Sequence, residues 1–291
     1  MVLPITITTE DDNLELYKSL GVTECNWQLF QSDMDNLDAI IEKMKSSGLN
    51  IVSLHSPFDK NSIAPLLEYF ADDESQAECI YFAEKICQKL GKRLPLVFHS
   101  ALPYYAMSVI PRQAEALDGV LLNCPDVDVL IENVGMGYPL SYYVLDIPKM
   151  IPLTVREFNK FLIRPIYACL DICHAEVVAR ITQKFNDLGI IDVSQVPTVE
   201  QFFREFEPVC KLVHFANTKE FGNTRGKHGV GFTDSDKNDL INYLSLCKTY
   251  VPQAKIVLEL SEMDYSHRAN LLSTLKTLSS IDESSFTVLG G

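Results

Sequence analysis

Hydrophobic and polar positions along the chain repeat in one order: a short apolar run of β type, a polar turn, then an amphipathic helical stretch. Eight apolar runs read as strands: residues 3–9, 24–30, 50–56, 94–100, 128–133, 166–172, 211–215 and 254–260. Between them lie helical spacings. Leu37, Ile40, Ile41 and Met44 fall at i, i+3, i+4 and i+7, the stripe one helix face would bury. Residues 63–90, 112–122, 155–162, 176–188, 199–209, 240–250 and 268–278 read the same way, and 11–20 supply a short first helix.

Strands alternating with helices imply βαβ units and a parallel sheet. Right-handed crossovers then leave an open doubly wound sheet or a closed barrel. The dinucleotide-binding form of the open sheet usually carries a G-x-G-x-x-G after its first strand, and no such segment follows residues 3–9. Eight strands fit closure. The expectation is an α/β fold, a (β/α)8 barrel of the TIM type. A chain of 291 residues is the length of one such barrel, so residues 1–291 are read as a single domain.

Composition narrows the partners. Hydrophobic residues make up 47% of the chain, and 25 basic against 39 acidic residues leave a net charge of −14. An acidic protein repels phosphate backbones at long range, which argues against tight nonspecific binding of nucleic acid. Eight cysteines suggest disulfides at first, but Cys79, Cys87, Cys169 and Cys210 sit inside apolar periodic segments, where a free thiol behaves as a small hydrophobe. Cys169 and Cys173 are four apart, a poor match to C-x-x-C. The N-terminus has neither a basic region nor a long apolar one, and no stretch is long and apolar enough to span a bilayer. Reduced thiols without an export signal imply the cytoplasm and no membrane partner.

The polar residues that end the apolar runs carry the chemistry. Of six histidines, five fall at a strand end or just after one: His55, His99, His174, His214 and His228. Glu132, Asp171 and Glu259 do the same, and only His267 lies elsewhere. Barrel enzymes place their chemistry at the C-terminal strand ends. A carboxylate closing an apolar strand is costly to bury without a partner, and divalent metals supply one. A lone strand-end histidine is usually a hydrogen-bonded structural residue, but eight such groups on six strand ends are hard to obtain from packing. Imidazole and carboxylate together suit zinc, manganese or iron, with magnesium a further choice. Asp171-x-x-His174 has two readings. The pair could face one cavity while serving different metals, or His174 could be a helix N-terminal residue hydrogen-bonded to Asp171.

In order along the chain, the segments are His55-Ser-Pro-Phe58; Phe98-His99; Ile131-Glu132-Asn133 followed by Gly135 and Gly137; Cys169-Leu-Asp-Ile-Cys-His-Ala175; His214 through Lys219; His228 followed by Gly229-Val-Gly231; and Glu259. This ordered set resembles the xylose-isomerase-like barrel superfamily, and within it the endonuclease IV family (AP endonuclease family 2). The resemblance implies a three-zinc site that hydrolyses DNA at abasic positions. His55, His99 and Glu132 would hold one metal, Glu132 would bridge to a second held by Asp171, His214 and Glu259, and His174 and His228 would hold a third. The chain departs from the family at Gly226, where the family has an aspartate; Asp234, Asp236 or a water would have to substitute. Long basic loops are not evident either, and Lys60, Lys219, Arg225 and Lys227 are the clear cations near the expected mouth.

Two enzyme readings follow, with a metal-structured binding module as a third. The resemblance to the endonuclease side implies a phosphoester hydrolase with a multinuclear zinc site, acting on a small phosphorylated substrate or abasic DNA. The resemblance to the wider superfamily implies a sugar or sugar-phosphate isomerase, epimerase or dehydratase with one divalent metal, Glu132 and Glu259 serving as the acid–base pair. A structural zinc site would be closed and cysteine-rich, which this set is not.

Overall fold

The computed structural model describes residues 3–58, 69–70, 73–100, 109–134, 148–189, 195–219 and 228–281. Among them the strands are β1 (Ile5–Thr8), β2 (Glu24–Phe30), β3 (Asn50–Phe58), β4 (Tyr69–Phe70), β5 (Leu94–Ser100), β6 (Val127–Glu132), β7 (Tyr167–Asp171), β8 (Cys210–Phe215), β9 (Asn217–Thr218), β10 (His228–Val230) and β11 (Lys255–Leu258). The helices are α1 (Leu14–Ser19), α2 (Leu37–Ser46), α3 (Asp73–Leu90), α4 (Ile110–Asn123), α5 (Met150–Phe158), α6 (Ile172–Asp187), α7 (Val199–Phe206), α8 (Lys237–Tyr250) and α9 (Ala269–Ser279). The sheet order is β3-β2-β1-β11-β8-β7-β6-β5-β4; β3 also pairs with β5, so eight strands form the ring and the short β4 adds to the end of β5. That is the order of a (β/α)8 barrel, and each of the eight apolar runs in the sequence overlaps one strand of it, to within two residues at either end.

The residues pack as two compact units, each discontinuous in sequence. One comprises Pro4–Glu132 and Ile151–Cys169; the other Met1–Leu3, Asn133–Met150 and Leu170–Gly291. In the first, β2 and β3 run parallel with Gln28 opposite His55, and β5 and β6 run parallel with His99 opposite Glu132. Trp27, Leu54, Leu96, Phe98 and Ile131 are fully buried there, each side chain contributing roughly 1.5–3 kcal/mol. The α2 stripe buries Ile40, Ile41 and Met44 as its spacing required, while Leu37, the first helical residue, is only half-buried. The helical reading of 63–90 is corrected at its start: Tyr69 and Phe70 form a strand paired in parallel with His99 and Ser100, and the helix begins at Asp73. Two adjacent aromatic residues favour a pleated surface over a helix.

In the second unit, β8 and β11 run parallel with His214 opposite Val257. Phe202, Phe203 and Phe206 of α7 are fully buried. That helix starts on a capping box, in which Thr198 Oγ1 accepts the Gln201 N–H at 3.2 Å and Gln201 Oε1 accepts the Thr198 N–H at 2.9 Å, satisfying two orphan donors reciprocally. All eight cysteines are free; Cys79, Cys87 and Cys169 are buried as their apolar settings implied, while Cys210, at the start of β8, is only half-buried. No helix among the described residues is long and apolar enough to cross a membrane.

Candidate metal centre

Each unit carries a cluster of imidazole and carboxylate groups at its strand ends. In the first, Glu132 closes β6 and has no exposed surface. Its two carboxylate oxygens face different histidines. Oε2 lies 3.5 Å from Nε2 of His55, and Oε1 lies 3.7 Å from Nε2 of His99. The two rings meet edge to face, with centroids 4.9 Å apart. The arrangement follows from parallel pairing. His99 and Glu132 are partners in register, so their side chains leave the sheet on the same face. His55 stands opposite Val97, two residues before His99, and so lies one step lower on that face. Ring Nδ1 of His55 is 3.3 Å from the carbonyl of Ser56, which leaves Nε2 as the atom aimed at Glu132.

In the second unit, Asp171, His214 and Glu259 each offer a ligand atom within 4.8 Å of the others. His214 is fully buried and Asp171 nearly so. Nδ1 of His214 lies 2.8 Å from Oε2 of Glu259. Asp171 also starts α6: its Oδ1 accepts the backbone N–H of His174 at 2.5 Å, the N-cap bond that relieves an orphan donor. The Asp-x-x-His spacing therefore does contain the simple capping contact. The His174 ring goes elsewhere, however. Its Nδ1 lies 2.7 Å from the main-chain carbonyl of Asn133 and 3.7 Å from Asp171 Oδ1.

The residues around these groups are ordered by the same first turn of α6. Cys173 Sγ contacts the carbonyl of Asn217 at 3.5 Å and receives the Gly229 N–H at 3.4 Å. Burial pushes the Cys173 thiol well up, and the Asp171 carboxylate adds to the effect. Gly229 has φ +68°, and a Cβ there would sit 3.2 Å from the backbone nitrogen of Ser261. Gly231 has no room at all: a Cβ would meet the Asn270 carbonyl oxygen at 2.4 Å. The glycines after His228 are thus explained by a close approach to the chain beyond Glu259 and to the start of α9.

Of the residues named from sequence, His55, His99 and Glu132 come together in one unit, and Asp171, His174, His214 and Glu259 in the other. The side chain of His228 lies outside the described residues, as do the side chain of Phe58 and residues Lys60, Gly135, Gly137, Arg225, Gly226 and Lys227. Of the substitutes considered for a ligand at 226, Asp234 is exposed and faces Lys276 at 3.7 Å. Asp236 takes its hydrogen bonds from the N–H and hydroxyl of Thr233 at 2.9 and 2.6 Å. Burial works to raise its pKa, but these bonds prevail and lower it. Sequence reasoning assigns no role to Asn133, which is fully buried and binds both Asp171 and His174. The available signal is an amide directly after a strand-ending glutamate.

The donor set fits a divalent cation. It combines imidazole nitrogen with carboxylate oxygen and includes no thiolate, the pattern of catalytic rather than structural zinc or of manganese and iron. An anionic Glu132 without solvent contact needs positive charge beside it.

No family model matches the sequence, and no curated protein matches it. Solved structures do share its fold. Endonuclease IV from Thermus thermophilus aligns over 96% of this chain and 99% of its own with a TM-score of 0.57 at 15% identity. A D-tagatose 3-epimerase-like protein aligns over 97% and 99% with a TM-score of 0.57, also at 15% identity. A sugar phosphate isomerase/epimerase from Parabacteroides distasonis aligns over 95% and 92% with a TM-score of 0.52 at 12% identity.

Proposed function

We propose that the chain is a metal-dependent enzyme and, more narrowly, a phosphoester hydrolase with a multinuclear zinc site. One observation carries this reading: the two oxygens of the buried Glu132 face two separate imidazoles, at 3.5 and 3.7 Å. A mononuclear sugar isomerase has no need of that histidine pair. His55, His99 and Glu132 would hold one cation, and Asp171, His214 and Glu259 another, with His174 and His228 available to a third. Bound divalent cations lower the pKa of a coordinated water toward neutrality and polarise phosphoryl oxygens. The chain's own residues supply the rest. Glu132 and Glu259 would orient the cations and the nucleophile and offset the cations' charge. Both clusters lie at the C-terminal strand ends, where barrel enzymes carry out their reactions.

The charge of −14 and the glycine at 226 favour a second reading, a sugar or sugar-phosphate isomerase, epimerase or dehydratase. In it these residues would hold one metal, whose chemistry there is chelation of a carbonyl and hydroxyl, and Glu132 and Glu259 would serve as acid and base toward neighbouring carbons. The test is to count metals per chain in purified protein by elemental analysis and to assay a chromogenic phosphodiester alongside a panel of sugars. Two or three cations with phosphodiester turnover support the hydrolase. One cation with proton exchange on a sugar replaces it with the isomerase, and no bound cation removes both.

A further inference from the structure

The first turn of α6 is tied down at several points, and one tie has a chemical consequence. Asn133 directly follows β6 and is fully buried. Its side-chain amide pairs with the main chain of Asp171 in both directions: the Asp171 N–H donates to Oδ1 at 2.8 Å, and Nδ2 donates to the Asp171 carbonyl at 2.9 Å. Its own main-chain carbonyl sits 2.7 Å from Nδ1 of His174. A carbonyl can only accept, so the hydrogen must lie on Nδ1. A neutral imidazole protonated there carries its lone pair on Nε2.

We propose that Asn133 is a positioning residue for the metal centre: its amide locks the strand end to Asp171, so that its carbonyl holds His174 in the Nδ1–H tautomer with Nε2 directed to a cation. The inference rests on the metal-enzyme reading above. Residue type matters here. The two-way pairing needs one acceptor and one donor on a short side chain, which asparagine supplies and aspartate does not. Ligating histidines are commonly oriented through their second ring nitrogen in this manner, and loss of such a partner costs roughly 10–100-fold in metal affinity. Asp171 is drawn into the same device. Its main chain is held by Asn133 while its carboxylate caps the helix carrying His174, so one amide fixes two candidate ligands.

The test reads the tautomer directly. The full chain has six histidines, so selective ¹⁵N-histidine labelling of metal-free protein gives a small spectrum, and His174→Gln assigns the signal. The expected result is a protonated Nδ1 and an unprotonated Nε2 on His174. In Asn133→Ala the ring should lose that single tautomer, and zinc affinity, measured against a chromogenic chelator, should fall by roughly 10–100-fold. Asn133→Asp keeps the acceptor alone and should fall between. A wild-type His174 protonated on Nε2, or on both nitrogens, overturns the proposal even if the variants fail to fold. Folded variants that keep both tautomer and affinity overturn it as well. If the wild type shows the stated tautomer but binds no zinc, the metal-enzyme reading falls and takes the positioning role with it. Bound zinc with the other tautomer removes the positioning role alone.

Discussion

Ring nitrogen Nδ1 of His214 lies 2.8 Å from Oε2 of Glu259. The contact is set by strand pairing. Val257 of β11 stands opposite His214 of β8, and Glu259 is two residues farther along the same face. The Glu259 N–H bonds the carbonyl of Phe215 at 3.3 Å, extending the ladder by one residue. His214 has no exposed side-chain surface, while Glu259 keeps about a quarter of its own. One partner is held inside, and the other faces both it and the solvent.

Glu259→Gln should lower zinc affinity and turnover together. The amide keeps the shape but removes the charge a cation needs, and metal binding depends on deprotonated ligands. The loss should exceed the roughly 10–100-fold typical of an outer-shell partner. Isothermal titration with zinc and steady-state kinetics on the same preparation check it. Unchanged affinity with reduced turnover would make Glu259 an acid–base residue rather than a ligand.

His55→Ala should reduce the number of metals bound per chain. His55 shares Glu132 with His99, and a carboxylate with one imidazole removed is a poorer site. Elemental analysis measures the change. Stoichiometry equal to wild type would remove the multinuclear reading in favour of the isomerase.

Abasic DNA should be a poor substrate. Phosphate contacts supply most of the affinity for DNA and come from cations or backbone donors along the groove. This chain carries −14, and its sequence places glycine at 226. Nicking of an abasic duplex at about 50 mM salt, where electrostatic binding is favoured, measures it. Efficient zinc- or manganese-dependent cleavage at low enzyme concentration would show that local contacts outweigh net charge.

Two glycines should respond to alanine in opposite directions. Gly231 abuts backbone atoms of Asn270 at 2.4 to 2.9 Å from the position of a Cβ, so Gly231→Ala should cost about 1–3 kcal/mol by overpacking. Gly119 lies inside α4 with open space around it, so Gly119→Ala should gain about 0.5–1 kcal/mol through helix propensity. Urea unfolding of both variants provides the comparison.

Alkaline pH should weaken the fold through the thiols. Burial pushes Cys25, Cys79 and Cys87 up to about 12. A thiol with its pKa raised in the folded state contributes stability that is complete below the unfolded value and disappears as pH rises through the folded one. Stability should therefore be flat with respect to these groups below about pH 8.5, the free-thiol value, and decline above it. Denaturant midpoints across that range measure the decline, and a thiol reagent at pH 8 should leave these three buried thiols unmodified until the chain unfolds.

Much of this is legible along the chain. Eight apolar runs mark the eight barrel strands because burial on both faces of a parallel strand demands continuous apolar sequence. Strand-end histidines and carboxylates stand out because each breaks that run at its costly end. The start of α3 is not legible in this way, because Tyr69 and Phe70 satisfy a helical stripe as well as a strand, and their pairing with His99 and Ser100 is a long-range choice. Asn133 escapes a sequence reading because its partners, Asp171 and His174, lie 38 and 41 residues away.

By itself the sequence determined the alternation of strands and helices, the reduced and apolar character of the cysteines, and the chemical types at the strand ends, since each follows from local periodicity and composition. Only the tertiary structure decided which oxygen of Glu132 faces which imidazole, that Asp171 caps the helix bearing His174, and which ring nitrogen of His174 is hydrogen-bonded. Those facts depend on register. β2 against β3 slips twice along its length, and a slip of one residue turns every side chain to the opposite face. A local pattern contains no information about a pairing made with a strand dozens of residues away.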